Sequence, residues 1–176
     1  MLAMPNLEEA KPLIEHGAKI NARSKSRFSA LMVAAQYPQS SSTIRLLLSQ
    51  GAEVQMAKGA GRPLFNATPL MLAAGALNAE IIKPLHEAGD DINTKMVVVG
   101  RFPNTPLLQT IGFGDVTVIR ASIDFGAPAL VELLLKSGAN PQAKTKEGLN
   151  AAGLAKKYGY VQLEKALQTR VFASQR

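Results

Sequence analysis

The stretch NATPLMLAAGALNAEIIKPLHEAG, residues 66–89, decides the fold because its pattern recurs along the chain. Related stretches are FSALMVAAQYPQSSSTIRLLLSQGA (28–52) and NTPLLQTIGFGDVTVIRASIDFGA (104–127). The closing glycines at 17, 51, 89 and 126 lie 34, 38 and 37 residues apart by subtraction, and a fifth follows at 138. A repeat of this size predicts a solenoid of stacked helical units.

The Thr-Pro-Leu near the start of this stretch favours the beginning of a helix for a physical reason. The Thr68 hydroxyl can cap a helix, and Pro69 suits the first helical position, where a missing N–H costs nothing. Leu70, Leu72 and Ala73 fall on one helical face, and Gly89 supplies a left-handed C-cap to the second helix. No single unit can bury its apolar face alone, so the units must stack.

This pattern resembles that of ankyrin repeats, whose unit is a hairpin loop, a Thr-Pro-Leu helix, a Leu-rich helix and a Gly-Ala turn. The match covers roughly residues 7–167, and AKTKEGLNAAGLAKKYGYVQLEKAL (143–167) fits a C-terminal unit. The resemblance implies an all-α solenoid of stacked helix-turn-helix units with hairpin loops. It also implies a protein-binding scaffold without catalysis, which contacts partners through hairpin tips and the first helices on its concave side.

We expect one ankyrin-repeat domain over residues 1–176. Its units are about 5–17 (partial), 18–51, 52–89, 90–126, 127–138 (irregular) and 139–167, with a tail at 168–176. Because the chain opens on a second helix, at 7–16, it reads as a fragment of a longer array or as an array with an unusual cap.

Two departures from a regular array stand out. The loops from Gly51 to Thr68 and from Gly89 to Thr105 span 17 and 16 residues by subtraction, against 12 from Gly17 to Ser29, so two hairpins are longer fingers. In addition, the second-helix phrase at 114–127 runs directly into another at 128–139. Either an extra helix packs onto the array, or one phrase takes the place of a first helix.

Composition bounds the class of protein. With 176 residues, 47% of them hydrophobic and 19% charged, the chain is predicted to be globular. The absence of Cys excludes disulfides and thiolate metal sites. No signal peptide or membrane-length apolar run is visible, which favours a cytoplasmic location without establishing it.

The net charge of +7 is concentrated in the hairpins. The stretches 18–28, 52–67, 90–104 and 139–148 hold ten basic and four acidic residues, a balance of +6, which leaves +1 for the rest of the chain. Such an edge favours a protein partner with an acidic face. The alternative is that these charges only keep the loops solvated. Nucleic acid is disfavoured because few aromatic residues accompany the charges.

The candidate contact residues follow from this edge. They are nine of the basic and aromatic residues of the first three hairpins: Arg23, Lys25, Arg27, Lys58, Arg62, Phe65, Lys95, Arg101 and Phe102. Phe28 and Phe102 have a second interpretation, since an aromatic residue just before a first helix often folds back onto the array as a staple.

Signals of catalysis are weak. The histidines, His16 and His86, occupy non-equivalent positions in different units, and neither Gly-x-Gly stretch (59–64 and 112–117) has the third glycine or the preceding strand of a phosphate loop. We therefore expect no enzyme activity, no cofactor and no metal site. The predicted function is a monomeric protein-protein interaction scaffold; the alternative is a regulatory or structural segment of a larger protein.

Overall fold

The computed structural model describes residues 7–25, 27–54, 64–65, 67–94, 96–98, 114–116, 128–144 and 148–173. Within these ranges the chain is mainly helical, which confirms that part of the predicted fold class. The helices are α1 (Leu7–Glu15), α2 (Ala30–Ala35), α3 (Ser41–Ser49), α4 (Pro69–Gly75), α5 (Ile82–Glu87), α6 (Pro128–Lys136), α7 (Ala151–Lys157) and α8 (Val161–Ala173). One-turn 3-10 helices, Pro38–Ser40 and Ala79–Ile81, lead into α3 and α5. No helix in the described ranges has the length and apolar character needed to cross a membrane.

The first helices begin at side-chain caps. Thr68 has extended backbone, and its Oγ1 accepts a hydrogen bond from the Met71 amide at 3.3 Å, with Pro69 at the first helical position as predicted. Ser29 caps α2 in the same way, through the Met32 amide at 3.2 Å. At α7 the cap is Asn150, which accepts from Gly153 at 2.9 Å. A threonine, a serine and an asparagine thus each cap the N-terminus of a helix at equivalent positions.

The second helices end at left-handed glycines. Gly17, Gly51, Gly89 and Gly138 have φ of +82°, +81°, +96° and +91°, which confirms their predicted role. The amide of the residue after each glycine donates to a carbonyl five residues earlier: Ala18 to Leu13, Ala52 to Leu47, Asp90 to Leu85 and Ala139 to Leu134, at 2.9–3.1 Å. These bonds satisfy carbonyls at the helix ends. The fifth predicted cap, Gly126, lies outside the described residues.

One apolar core runs through the helices. The pairs α2–α3, α4–α5 and α7–α8 pack within themselves, α4 packs on α2, and α1 packs on α3. The core's largest fully buried side chains are Leu31, Met32, Ile44, Leu70, Ile81, Ile82, Leu85, Leu134 and Leu167. At the other extreme, α1 has no buried residue, and Leu13 is 63% exposed.

Asparagine clamps join successive turns. Asn21 Nδ2 donates to the Gly51 carbonyl at 3.2 Å, and its Oδ1 accepts from the Glu53 amide at 2.9 Å. Asn93 repeats both bonds, to the Gly138 carbonyl at 3.2 Å and from the Asn140 amide at 2.7 Å. Asn93 thus bonds the turn that closes α6 in the same way that Asn21 bonds the turn that closes α3.

A small sheet was not predicted. Strands β1 (Leu64–Phe65), β2 (Met96–Val98) and β3 (Gly114–Val116) form an antiparallel sheet in the order β1-β2-β3. The expectation that a second-helix phrase starts at residue 114 is therefore wrong, because that segment pairs with β2 through Val98 and Gly114. Residues 117–127, the rest of that phrase, lie outside the described residues.

Candidate partner-binding surface

The sheet brings the two elongated fingers together. Leu64 pairs with Val98 and Phe65 with Val97, so the finger between α3 and α4 lies against the finger that follows α5. In an antiparallel pair, the chain that enters at residue 64 and the chain that leaves at residue 98 meet at the same end. Gly114 also pairs with Val98, so the chain returns to the sheet at this end too. We call this end of the sheet the finger tip.

In sequence, the segments that lead into and out of the finger tip carry only basic charge. The two segments that join the sheet there are residues 55–63 and 99–113, and both lie outside the described residues. By sequence they hold Lys58, Arg62 and Arg101 and no Asp or Glu, a balance of +3. The pairing of β1 with β2 thus connects three predicted contact residues to a single end of one sheet.

The first hairpin presents three more basic residues. Its backbone is closed by a bridge between Arg23 and Ser29 and by hydrogen bonds from the Ser24 amide to the Phe28 carbonyl and from the Arg27 amide to the Ser24 carbonyl, at 2.9 and 2.7 Å. Arg27 has left-handed backbone, with φ +64°, and its carbonyl accepts from the Arg23 guanidinium at 3.3 Å. The side chains of Arg23, Lys25 and Arg27 are all exposed. Three positive charges therefore lie within five residues of an ordered turn.

The other predicted contact residues are less fully described. Phe65 is the second residue of β1, and its side chain lies outside the described part of the structure, as do Lys58, Arg62, Lys95, Arg101 and Phe102 entirely. Phe28 is half-buried and packs against the core, which confirms the staple interpretation for that residue.

The first helices expose little surface. Every residue of α4 is buried, from Pro69 to Gly75, so a partner that approached this helix would meet no exposed α4 side chain. In α2 only Ala30 is exposed, whereas α7 exposes Lys156 and Lys157. Among the described first helices, exposed charge is therefore confined to α7, whereas the first hairpin exposes Arg23, Lys25 and Arg27.

Asp90 is a buried carboxyl that sequence reasoning counted only as a hairpin charge. Its side chain is 2% exposed, and Oδ2 accepts from the Leu70 amide at 2.7 Å. Oδ1 has no hydrogen-bond partner in the described part of the chain. Burial raises the pKa of Asp90 to about 7. The sequence signal for this residue was its position, because each of the other four closing glycines is followed by Ala: Ala18, Ala52, Ala127 and Ala139.

The histidines bond to backbone. His16 Nδ1 lies 2.7 Å from the Pro12 carbonyl oxygen at the end of α1, and His86 Nδ1 lies 3.0 Å from the Asp90 carbonyl oxygen. Each ring therefore has a local hydrogen-bond partner at a helix end. Across the described ranges, no three or more His, Cys, Asp or Glu residues are grouped in a way that could hold a metal ion.

Comparison with known proteins identifies no relative. No model of a known protein family matches the chain. No curated protein matches it either.

Proposed function

We propose that this chain is a noncatalytic protein-interaction module of the ankyrin-repeat type, which binds an acidic protein surface through its finger tip and first hairpin. The observation that carries the proposal is the pairing of β1 with β2, which connects Lys58, Arg62 and Arg101 to one end of a sheet. The repeated caps, left-handed glycines and asparagine clamps support the repeat architecture.

Electrostatics favours a protein partner with clustered carboxylates. The +3 of the finger-tip segments has no acidic residue beside it in sequence, and the first hairpin adds three exposed positive charges. A surface of one sign raises the association rate of an oppositely charged partner, and arginine can bind a carboxylate through two parallel hydrogen bonds. Binding of this kind needs no deep pocket.

The test reverses the finger-tip charge. Arg62→Glu with Arg101→Glu should slow association with a glutamate-rich peptide by about tenfold and flatten its dependence on salt, because steering is screened beyond about 8–10 Å at physiological ionic strength. The association rate is measured by stopped-flow fluorescence at several salt concentrations. Circular dichroism checks that the variant keeps the helical content of the unmodified chain.

The matched control is Lys156→Glu with Lys165→Glu, which makes the same change of charge at exposed positions on α7 and α8. The control should keep most of the association rate. An equal loss from both double variants would show that only net charge matters and would contradict the proposal. Tighter binding of single-stranded DNA of matched charge than of the peptide would favour a nucleic-acid partner instead.

A further inference from the structure

The position of Asp90 is unusual for a charged residue. It directly follows Gly89, where the equivalent turns have Ala18, Ala52 and Ala139. Its side chain is almost wholly withdrawn from solvent, at 2% exposure. Burying an ionised carboxylate is costly unless hydrogen bonds and opposite charge compensate for the lost water.

The two carboxyl oxygens have unequal surroundings. Oδ2 accepts the Leu70 amide at 2.7 Å, while Thr68 accepts the Met71 amide at 3.3 Å. Pro69 has no N–H, so these two bonds satisfy the amides in the first turn of α4 that lack an intrahelical acceptor. Oδ1, in contrast, has no partner among the described residues. Ionisation would therefore place negative charge on a buried carboxyl whose Oδ1 has no hydrogen-bond partner in the described part of the chain; the Thr68 hydroxyl favours the ionised form, but burial opposes it more strongly.

The groups that face the carboxyl do not neutralise it. From α4 come the Leu70 amide and the Thr68 hydroxyl, from α5 comes His86, and from its own turn comes Asp91. Burial has the largest effect on the pKa of Asp90 and raises it; the two α4 groups lower it, Asp91 raises it and His86 lowers it slightly, and the result is about 7. The carboxyl thus changes charge near neutral pH.

The same turn carries the connection to the next unit. Asn93, three residues after Asp90, clamps Gly138 and Asn140, and β2 begins at Met96. Ile92, between them, is a buried core residue. Asp90, which bonds α4, and Asn93, which bonds the turn after α6, therefore belong to one four-residue segment.

We propose that Asp90 is a proton-operated switch: the neutral carboxyl keeps the turn closed on α4, and the ionised carboxylate draws water to Oδ1, opens the turn and loosens the Asn93 clamp. Since the folded pKa lies above the ordinary value of 3.8, the stabilisation is fully present below about pH 3.8 and is lost as pH rises toward about 7. The closed turn is thus favoured at mildly acidic pH. The switch requires no partner and acts in the chain alone.

The experiment combines carboxyl titration with amide exchange by NMR. In the unmodified chain the Asp90 carboxyl carbon should titrate near pH 7. After correction for intrinsic exchange rates, protection of the Leu70 and Asn140 amides should fall by at least about tenfold between about pH 5 and about pH 8. Asp90→Asn, which cannot ionise, should show no such fall at either amide.

Asp91→Asn is the matched control, because Asp91 is the exposed neighbour in the same turn. It keeps an Oδ1 acceptor for the Asn93 amide but removes a negative charge that raises the pKa of Asp90, so it should keep the fall in protection with its midpoint at slightly lower pH. Titration of Asp90 near pH 4 would overturn the proposal, as would titration near pH 7 with unchanged protection of Leu70 and Asn140. Should Asp90→Asn prove too unstable for exchange measurements, Asp90→Ala provides the second non-ionising variant, since Ala stands at this position in the other turns.

Discussion

At the scale of single residues, backbone conformation sets the geometry of each turn. Four closing glycines adopt left-handed φ, a region that glycine enters without steric cost. Leu77 also adopts it, with φ +56°, in the connection between α4 and the 3-10 helix before α5, and it is 46% exposed. For a residue with a Cβ this conformation costs roughly 1–2 kcal/mol, so Leu77 is a local site of strain.

Replacement of Leu77 tests that strain. Leu77→Gly should be more stable than Leu77→Ala by about 1 kcal/mol, because both lose the exposed side chain and only glycine removes the Cβ. The free energy of unfolding, from urea titration followed by circular dichroism, provides the comparison. If the alanine variant were the more stable, the left-handed conformation would not be the source of strain.

At the scale of elements, the clamps connect turns that helix packing alone does not align. Asn93 uses both halves of its amide, one as donor and one as acceptor, on a single neighbouring turn. Because both ends of the amide are bonded, the side chain fixes the register of the two turns as well as the distance between them.

Asn93→Ala should lower the free energy of unfolding by about 1–2 kcal/mol, since two partly exposed hydrogen bonds are lost. Asn93→Asp retains the acceptor for the Asn140 amide and loses the donor to Gly138, so an intermediate loss is expected. Both are measured by urea unfolding. An aspartate variant as unstable as the alanine variant would mean that the donor, rather than the pair of bonds, holds the turn.

At the scale of the whole molecule, the two asparagine clamps join different pairs of turns. The Asn21 clamp joins the first and second turns and the Asn93 clamp joins the third and fourth, with no shared partner. In a linear array, stability is approximately a sum of unit and interface contributions.

The double variant Asn21→Ala with Asn93→Ala tests this additivity. Its loss of unfolding free energy should equal the sum of the two single losses within about 0.5 kcal/mol. Urea unfolding of the unmodified chain, the two single variants and the double variant gives the four free energies of the double-mutant cycle. A coupling well above that margin would indicate that the two interfaces are not independent.

The parts of the fold that sequence could predict are those with local causes. Thr68 and Pro69 predict the start of a helix, and a glycine after an apolar helical run predicts its end. In both cases the capping residue lies within a few residues of the backbone groups that it caps. The sheet has no such local cause. β1 has only two residues, and Phe65 pairs with Val97, which lies far from it in the sequence. No short sequence pattern predicts such a pairing. Burial of Asp90 likewise depends on α4 and α5 folding around it.

The candidate partner-binding surface is likewise only partly predictable from the sequence. Exposure of Arg23, Lys25 and Arg27 follows from their place in a short polar hairpin, which sequence alone identifies. That Arg62 and Arg101 belong to segments joining one end of a sheet depends on strand pairing between two units. The sequence predicted that the hairpin edge is positively charged. Only the pairing of β1 with β2 showed that segments of two hairpins join one end of a sheet.

The asparagine clamps have a consequence for how such a chain can evolve. Clamp partners are separated by 30 residues at Asn21 and Gly51 but by 45 at Asn93 and Gly138, although the hydrogen bonds are the same. For a flexible loop, such a lengthening costs only about 0.4 kcal/mol of closure entropy. The same clamp hydrogen bonds are therefore compatible with intervals that differ by 15 residues, so a change in length between Asn93 and Gly138 should be tolerated at small entropic cost.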